Sequence, residues 1–221
     1  MNYSKKIKLN LGSGPNGLNN WLNFDYGLLP LLSKLTPIRR LFIILKLLPS
    51  SYNLDWPKIE LVDISKTLPL ENFSVKHIYC SHVLEHFHRW QTLKILKESH
   101  RILVKGGTIR IIIPDIKKIC QNYLKELSSG KKNLRPGQNF CHRWWGYEKD
   151  IPPRNIIEKL SRIFIRDHQW HYDWHEIKIL LNEAGFIKVK QCQFRQGLTP
   201  DINLLDLKQY EDHSLYLEAV K

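Results

Sequence analysis

Cysteine and long apolar runs are both scarce in this 221-residue chain. The four cysteines lie far apart and form no Cys-x-x-Cys pair, which disfavours a zinc ribbon or a disulfide framework and predicts reduced thiols in a cytoplasmic protein. No apolar run reaches the roughly 18 residues that a membrane-spanning helix requires. A strand-like pattern begins at Lys6, so we expect no signal peptide before it.

Acidic residues are the other shortage: 21 Asp and Glu stand against 34 Lys and Arg, a formal net charge of +13. Residues 28–50 hold four basic and no acidic side chains, and residues 116–166 hold twelve basic and four acidic ones. A uniform compositional bias would not sort charge in this way. The pattern predicts an anionic partner, either an acidic small molecule or an anionic membrane surface. Nucleic acid is disfavoured, because the chain lacks a base-flipping tetrad and an RNA-binding appendage.

Strand-like and helix-like segments alternate along most of the chain. Strands are predicted at 6–11, 21–25, 59–63, 75–80, 108–113, 187–194 and 214–220, and helices at 89–103, 115–127 and 173–184. This alternation predicts a single three-layer α/β domain over residues 1–221 with a mostly parallel sheet. Two insertions are predicted: a basic amphipathic one at about 27–57, and a basic, aromatic-rich one at about 128–169. No pattern predicts an oligomeric state.

A glycine turn follows the first predicted strand. Gly12, Gly14 and Gly17 match the pattern Gly-x-Gly-x-x-Gly, which lets a backbone approach a nucleotide ligand closely. A dinucleotide site has a full helix after the glycines and an acid about 20 residues further on. Here Asp25 comes eight residues after Gly17, which argues against an NAD(P)-binding oxidoreductase but leaves it as an alternative.

Acids stand at the ends of the second and third predicted strands. Ligands of open parallel sheets bind beyond the carboxyl ends of the strands. Asp25 is therefore placed to accept ribose hydroxyls, and Asp63 to accept an adenine amino group.

These motifs, in this order, make the chain resemble the class I S-adenosylmethionine (SAM)-dependent methyltransferases of the small methyltransferase-domain type, including a bacterial subgroup. The resemblance is carried by Leu9–Gly14, by Asp63 with Leu68-Pro69-Leu70, by Ser81–His86, by Arg101–Gly107 continuing into Ile113-Pro114-Asp115, and by Tyr172–Phe186 and His213–Ala219.

The resemblance implies a three-layer Rossmann-like α/β fold, with a seven-stranded, mostly parallel sheet whose last strand is antiparallel. It also implies SAM as cofactor and methyl transfer, which we expect to be to a small-molecule or glycan-like acceptor. The basic insertions add the expectation that this acceptor is acidic, and a non-catalytic SAM-binding scaffold is an alternative. The implied contacts are Asn10, Gly12, Ser13 and Gly14 with the methionine part, Asp25 with the ribose, Asp63 and Ile64 with the adenine, and Ser81 and His82 beneath the sulfonium.

The segment His82-x-x-Glu85-His86 has two further interpretations. It matches the inverted zinc-protease pattern, but it follows a strand instead of lying within a long helix, so we expect no metal site. Glu85 and His86 are instead candidate catalytic residues that orient the acceptor or take its proton. The alternative is that His86 only packs beside the cofactor.

Aromatic and histidine side chains cluster within and after the second insertion. His168, His171 and His175 have metal-like spacing, but the interleaved Trp170, Tyr172 and Trp174 favour an aromatic wall of the acceptor pocket. Trp144, His168 and Tyr172 are therefore the candidate acceptor-binding residues. Buried tryptophans of the core are the alternative.

The first insertion contains a predicted amphipathic helix from Thr36 to about Leu48. Arg39 and Lys46 are predicted on one face, opposite the apolar side chains. Such a helix covers its own domain as a lid, or lies on an anionic membrane. Peripheral contact through residues 37–48 with the inner membrane face is therefore one expectation.

Overall fold

The computed structural model describes residues 7–48, 50–131, 134–146, 152–153, 159 and 167–221. Its strands are β1 (Ile7–Leu11), β2 (Leu22–Asp25), β3 (Ile59–Leu61), β4 (Val75–Ser81), β5 (Leu103–Pro114), β6 (Ile187–Cys192) and β7 (Ser214–Val220). They form one sheet in the order β3-β2-β1-β4-β5-β7-β6. Every pair is parallel except the two that contain β7, so the predicted sheet with its antiparallel last strand is confirmed.

Helices connect the strands. Within the described residues they are α1 (Leu28–Ser33), α2 (Thr36–Ile44), α3 (Arg89–Ile102), α4 (Ile116–Ser128), α5 (Pro136–Trp145), α6 (Trp174–Glu183) and α7 (Ile202–Leu205). The helices α4 and α6 begin where a side chain can serve as the cap: Asp115 accepts from the N–H of Lys117, and Asp173 from that of Glu176. Gly185, with φ +97°, follows α6, as a helix end requires.

The core lies along β1, β4 and β5. Ile109, Ile111, Ile112 and Ile113 of β5 are at most 1% exposed, so helices or loops cover both faces of this strand. A β-branched run, interrupted here only by Arg110, is typical of such a central position in a parallel sheet.

The first insertion differs from its prediction. Its second helix ends at Ile44, not near Leu48, and Arg39 is buried instead of lying beside the exposed Lys46. The reason is local: Arg39 Nη2 donates to the Leu54 carbonyl at 3.1 Å, and its guanidinium lies over the Trp56 ring.

Part of the second insertion cannot be compared with its prediction. Residues 147–151, 154–158 and 160–166 of the predicted insertion at 128–169 lie outside the described residues. Among the helices that are described, none has the length and apolarity to cross a bilayer.

Candidate functional site

Two cavities open at the edge of the sheet where β1, β2, β3 and β4 end. One, of about 350 Å³, is lined by Gly12, Asp25, Asp63 and Ile64 together with the start of α1. The other, of about 380 Å³, is lined by Asn10, Gly12, Ser13, Gly14 and Ser81, with Tyr52 and Tyr210 opposite. Every residue predicted to contact the cofactor therefore lines one or both of them, His82 included.

The glycine turn has a shape that only glycine permits. Gly12 has φ +65°, and a Cβ there would lie 2.3 Å from Cγ2 of Val83. Gly14 has φ +51° with open space above it, and it begins a three-residue 3₁₀ helix instead of a long α-helix. The short connection to β2 is the one expected from the early position of Asp25, and it differs from a dinucleotide-binding unit.

Asp25 fixes the turn to the second strand. One carboxylate oxygen accepts from the N–H of Gly14 at 2.8 Å, and the other from the N–H of Tyr26 at 2.7 Å. Asp25 also lines the first cavity, so its carboxylate borders the space in which a ribose would lie.

Asp63 is held in a different way. Its Oδ1 accepts from both the N–H and the hydroxyl of Ser65, at 3.1 and 2.6 Å. Burial works against the charge, but the Ser65 hydrogen bonds and nearby Lys66 hold the pKa of Asp63 below its usual value. The carboxylate is ionised at neutral pH and available as an acceptor for an amino group.

The hydroxyl of Ser13 supports the predicted cofactor contacts. Its Oγ is buried and meets no hydrogen-bond partner among the described residues. A buried polar atom is costly unless a partner satisfies it. A polar ligand lying above the glycine turn would provide that partner, so the residues present fit SAM.

His82 lies where three cavities meet. It lines both cavities described above and a third, of about 680 Å³. Its backbone has φ +53°, its ring stacks on Tyr210 with centroids 3.8 Å apart, and its Nε2 is 2.9 Å from Ser214 Oγ. A left-handed conformation in a bulky residue is costly and persists only where the surroundings fix it.

The third cavity has a polar, histidine-rich wall. Glu85, His86, His142, Arg143, His168 and His213 line it, together with Asn122 and Asp212. The side chains come from the segment after β4, from α4 and α5, from the segment before α6, and from the segment before β7. The two predicted catalytic residues and one predicted acceptor-binding residue thus lie together, although they are 82 positions apart in the chain.

The histidines of this wall are fixed by backbone carbonyls. His86 Nδ1 donates to the Asp167 carbonyl at 3.2 Å, and His168 Nδ1 donates to the Trp144 carbonyl at 3.1 Å. Burial lowers the pKa of His168 to about 4, despite the opposing effect of Glu85. His168 is therefore neutral at physiological pH, with an unprotonated Nε2.

Two predicted acceptor-binding side chains do not reach the cavity. Tyr172 is fully buried, its hydroxyl donates to Thr92 Oγ1 at 2.8 Å, and burial raises its pKa to about 12; its role is in the core. The Trp144 ring stacks on His171 with centroids 3.9 Å apart. Trp144 therefore supports the cavity wall through its backbone carbonyl, which accepts from His168.

The sequence did not single out Arg143, Tyr210 or His213. His213 begins the segment His213–Ala219 that carries part of the family resemblance, and Tyr210 lies three residues before that segment. Arg143 lies in the basic second insertion. The excess of positive charge there predicted an anionic partner but did not identify this residue.

Comparisons with known proteins agree with this architecture. The family model described as a methyltransferase domain matches residues 45–111, which span Asp63 and the segment from Ser81 to His86. No curated protein matches the chain with significant sequence similarity.

Solved structures share the fold at low identity. A SAM-dependent methyltransferase from Archaeoglobus fulgidus superposes with a TM-score of 0.51 at 11% identity, over 99% of this chain and 87% of that one. The CurJ carbon methyltransferase matches with a TM-score of 0.50 at 14% identity, over 100% of this chain. PigF with SAH matches with a TM-score of 0.50 at 14% identity, over 98% of this chain. This chain covers 50% of the length of each of the last two proteins.

Proposed function

We propose that this chain is a class I SAM-dependent methyltransferase and that it methylates a small-molecule or glycan-like acceptor that carries an acidic group. The observation behind the proposal is the position of His82, which borders both cofactor cavities and the third cavity. An acceptor in the third cavity would therefore meet the cofactor at His82. We refer to this third cavity as the acceptor cavity.

The protein's part in such a reaction is to bind and align. When bound, SAM supplies an electrophilic methyl group on its sulfonium. Gly12, Ser13 and Gly14 would hold the methionine part, while Asp25 and Asp63 would hold the adenosine. Holding two reactants in line supplies much of the rate enhancement of a displacement. In this proposal, Glu85 and His86 position the acceptor.

Arg143 supports an acidic acceptor. Its Nη2 donates to Glu126 at 2.9 Å, but its Nη1 is buried and has no hydrogen-bond partner among the described residues. Because a guanidinium presents paired donors, it recognises carboxylate and phosphate groups well. An anionic group of the acceptor would satisfy Nη1.

The acceptor class is tested by methyl transfer from labelled SAM to acidic sugars, neutral sugars, small acids, lipids and nucleic acids. We expect transfer to an acidic sugar or small acid. Transfer to nucleic acid alone would contradict the proposal, and SAM binding without transfer to any class would favour the scaffold alternative. Heat on titration with NAD but not with SAM would favour an oxidoreductase.

The variant Arg143→Gln tests the anionic contact. We expect KM for the acidic acceptor to rise roughly 10-fold or more, because a hydrogen bond to a charged group contributes about 1.5–3 kcal/mol, while SAM affinity stays unchanged. Arg135→Gln is the matched control, since Arg135 is an exposed residue directly before the same helix. An unchanged KM in Arg143→Gln would contradict the anionic contact.

We also propose that α1 and α2 rest on the anionic inner face of a membrane. The two helices expose apolar side chains in place of the predicted polar face; the most exposed are Leu28, Leu31, Ile38, Leu41, Ile44 and Leu45. Three cations, Lys34, Arg40 and Lys46, are exposed among them. Apolar side chains flanked by cations suit an anionic bilayer surface. The four free cysteines suit the reducing, cytoplasmic side.

A further inference from the structure

We propose that Glu85, His86 and His168 together bind a divalent first-row transition-metal ion at the wall of the acceptor cavity. One potential ligand atom from each residue lies within 4.8 Å of those of the other two. Two imidazoles and one carboxylate form a common ligand set for zinc and its neighbours, and imidazole nitrogen disfavours magnesium and calcium. From the sequence no metal was expected, because the motif follows a strand instead of lying within a long helix, and the third residue of this set lies far from the motif in the chain.

The buried carboxylate of Glu85 is the strongest indication that a cation binds here. Its side chain is 1% exposed, and neither carboxylate oxygen receives a hydrogen bond from the described residues. The Nδ1 atom of His82 lies 3.1 Å from Oε1 without the alignment of a hydrogen bond. A buried carboxylate is costly unless it is paired or coordinates a metal. A bound cation would provide that compensation.

The two imidazoles are oriented as metal ligands are. In His86 and in His168, Nδ1–H donates to a backbone carbonyl, which leaves the lone pair on Nε2. Ligating histidines in metalloproteins characteristically donate their other ring N–H to a carbonyl or a carboxylate, because this fixes the tautomer and the ring plane.

Gly146 keeps one of these nitrogens accessible. A Cβ at this position would lie 2.5 Å from Nε2 of His168, and Gly146 lines the same cavity. Its φ of +80° also suits the end of α5, so one glycine serves both needs.

Metal binding would draw the three side chains closer together. In a tetrahedral site with bonds of about 2.0–2.1 Å, ligand atoms lie about 3.3 Å apart. Three protein ligands leave at least one coordination position open towards the acceptor cavity. The role of this position in binding an acceptor oxygen rests on the proposed function, whereas metal binding itself does not.

The metal site would change the role assigned to His86. A nitrogen that coordinates an ion cannot also take a proton from the acceptor. The bound ion would instead lower the pKa of a coordinated hydroxyl, so that it loses its proton without a side-chain base.

Direct metal titration tests the site without reference to methyl transfer. The full chain, stripped with EDTA, is titrated with ZnCl₂ by calorimetry and with CoCl₂ by visible absorption. We expect one equivalent of each metal to bind, and cobalt to show the d–d bands of a nitrogen-ligated ion. Glu85→Gln and His168→Ala should each weaken zinc binding by at least roughly 100-fold, since even outer-shell partners of ligating histidines change affinity about 10- to 100-fold.

Two controls distinguish loss of the metal site from loss of the fold or of the cofactor site. His175→Ala removes an exposed histidine outside the three ligands and should bind zinc like the wild type. SAM affinity, measured in every variant, should stay unchanged and reports that the fold and cofactor site are intact. The proposal is overturned if the wild type binds no stoichiometric metal, or if Glu85→Gln and His168→Ala bind it as tightly as His175→Ala. If the wild-type protein does not bind SAM, that result would instead contradict the proposed cofactor.

Discussion

At the residue scale, the two acids at the strand ends are held by different partners. Asp25 accepts from the backbone N–H groups of Gly14 and Tyr26, which ties it to the glycine turn. Asp63 depends on Ser65, its neighbour in the chain. Both carboxylates are therefore fixed before a ligand arrives, and prearranged acceptors lose little conformational entropy on binding.

Asp63→Ala tests the adenine contact. We expect SAM to bind more weakly by about 1–3 kcal/mol, the cost of removing one partner of a buried hydrogen bond, in a protein that remains folded. Calorimetry with SAM measures the change, and Asp55→Ala, at an exposed acid in the segment before β3, should leave affinity as it was. Wild-type affinity in Asp63→Ala would show that Asp63 does not contact the adenine.

At the element scale, α1 and α2 form a surface that combines exposed apolar side chains with basic residues. Residues 28–50 contain no acid, and Ile44 is 75% exposed. Large contiguous apolar patches on a monomer generally mark an interaction surface. Since Leu28 and Leu29 also line the cofactor cavity, docking of these helices on a membrane would place the active-site entrance near the bilayer.

Neutralising the basic residues of these helices tests membrane contact. The variant Lys34→Gln, Arg40→Gln, Lys46→Gln should lose roughly 100-fold in partition to phosphatidylserine vesicles, at about 1 kcal/mol per basic residue. Vesicle co-sedimentation measures the loss. The variant Lys94→Gln, Lys97→Gln, Lys105→Gln removes the same charge from exposed positions elsewhere and should bind normally. Equal binding by the two triple variants would assign the effect to total charge alone.

At the scale of the whole molecule, Arg110 joins the centre of the sheet to the C-terminal segment. This fully buried residue of β5 forms a two-point ion pair with Asp206, at 3.0 and 2.6 Å, and also bonds the carbonyls of Gln193 and Gln196. The anchored segment continues to Tyr210, whose ring stacks on His82. A cluster whose members line none of the three cavities thus holds one wall of the site in place.

Asp206→Asn tests the importance of this anchor. We expect the free energy of unfolding to fall by about 3 kcal/mol or more, because breaking a buried ion pair leaves an uncompensated charge. Denaturant unfolding measures it, with Asp212→Asn, at an exposed acid of the same segment, as the control. Equal stabilities would show that the pair contributes no net stability.

Local patterns in the sequence were sufficient to predict the sheet and to place the candidate cofactor-binding residues at one edge of it. The alternation of apolar residues predicted the strands, and the predicted helix starts at 115 and 173 coincide with the aspartates that cap α4 and α6 in the structure. Asp25 and Asp63 could be placed because parallel strands bring their carboxyl ends to one edge. These features depend on periodicity and on neighbours in the chain, so they can be derived without a structure.

Only the tertiary structure decided which distant side chains meet. It brought His168 from the second insertion against Glu85 and His86, buried Tyr172 behind α3, and turned Arg39 inward to Leu54. Periodicity shows that a residue faces some neighbour but does not identify it, because the choice of partner depends on how insertions fold over the sheet. The scarcity of acids in residues 28–50 was visible from the start, whereas the exposure of their apolar side chains was a consequence of that packing.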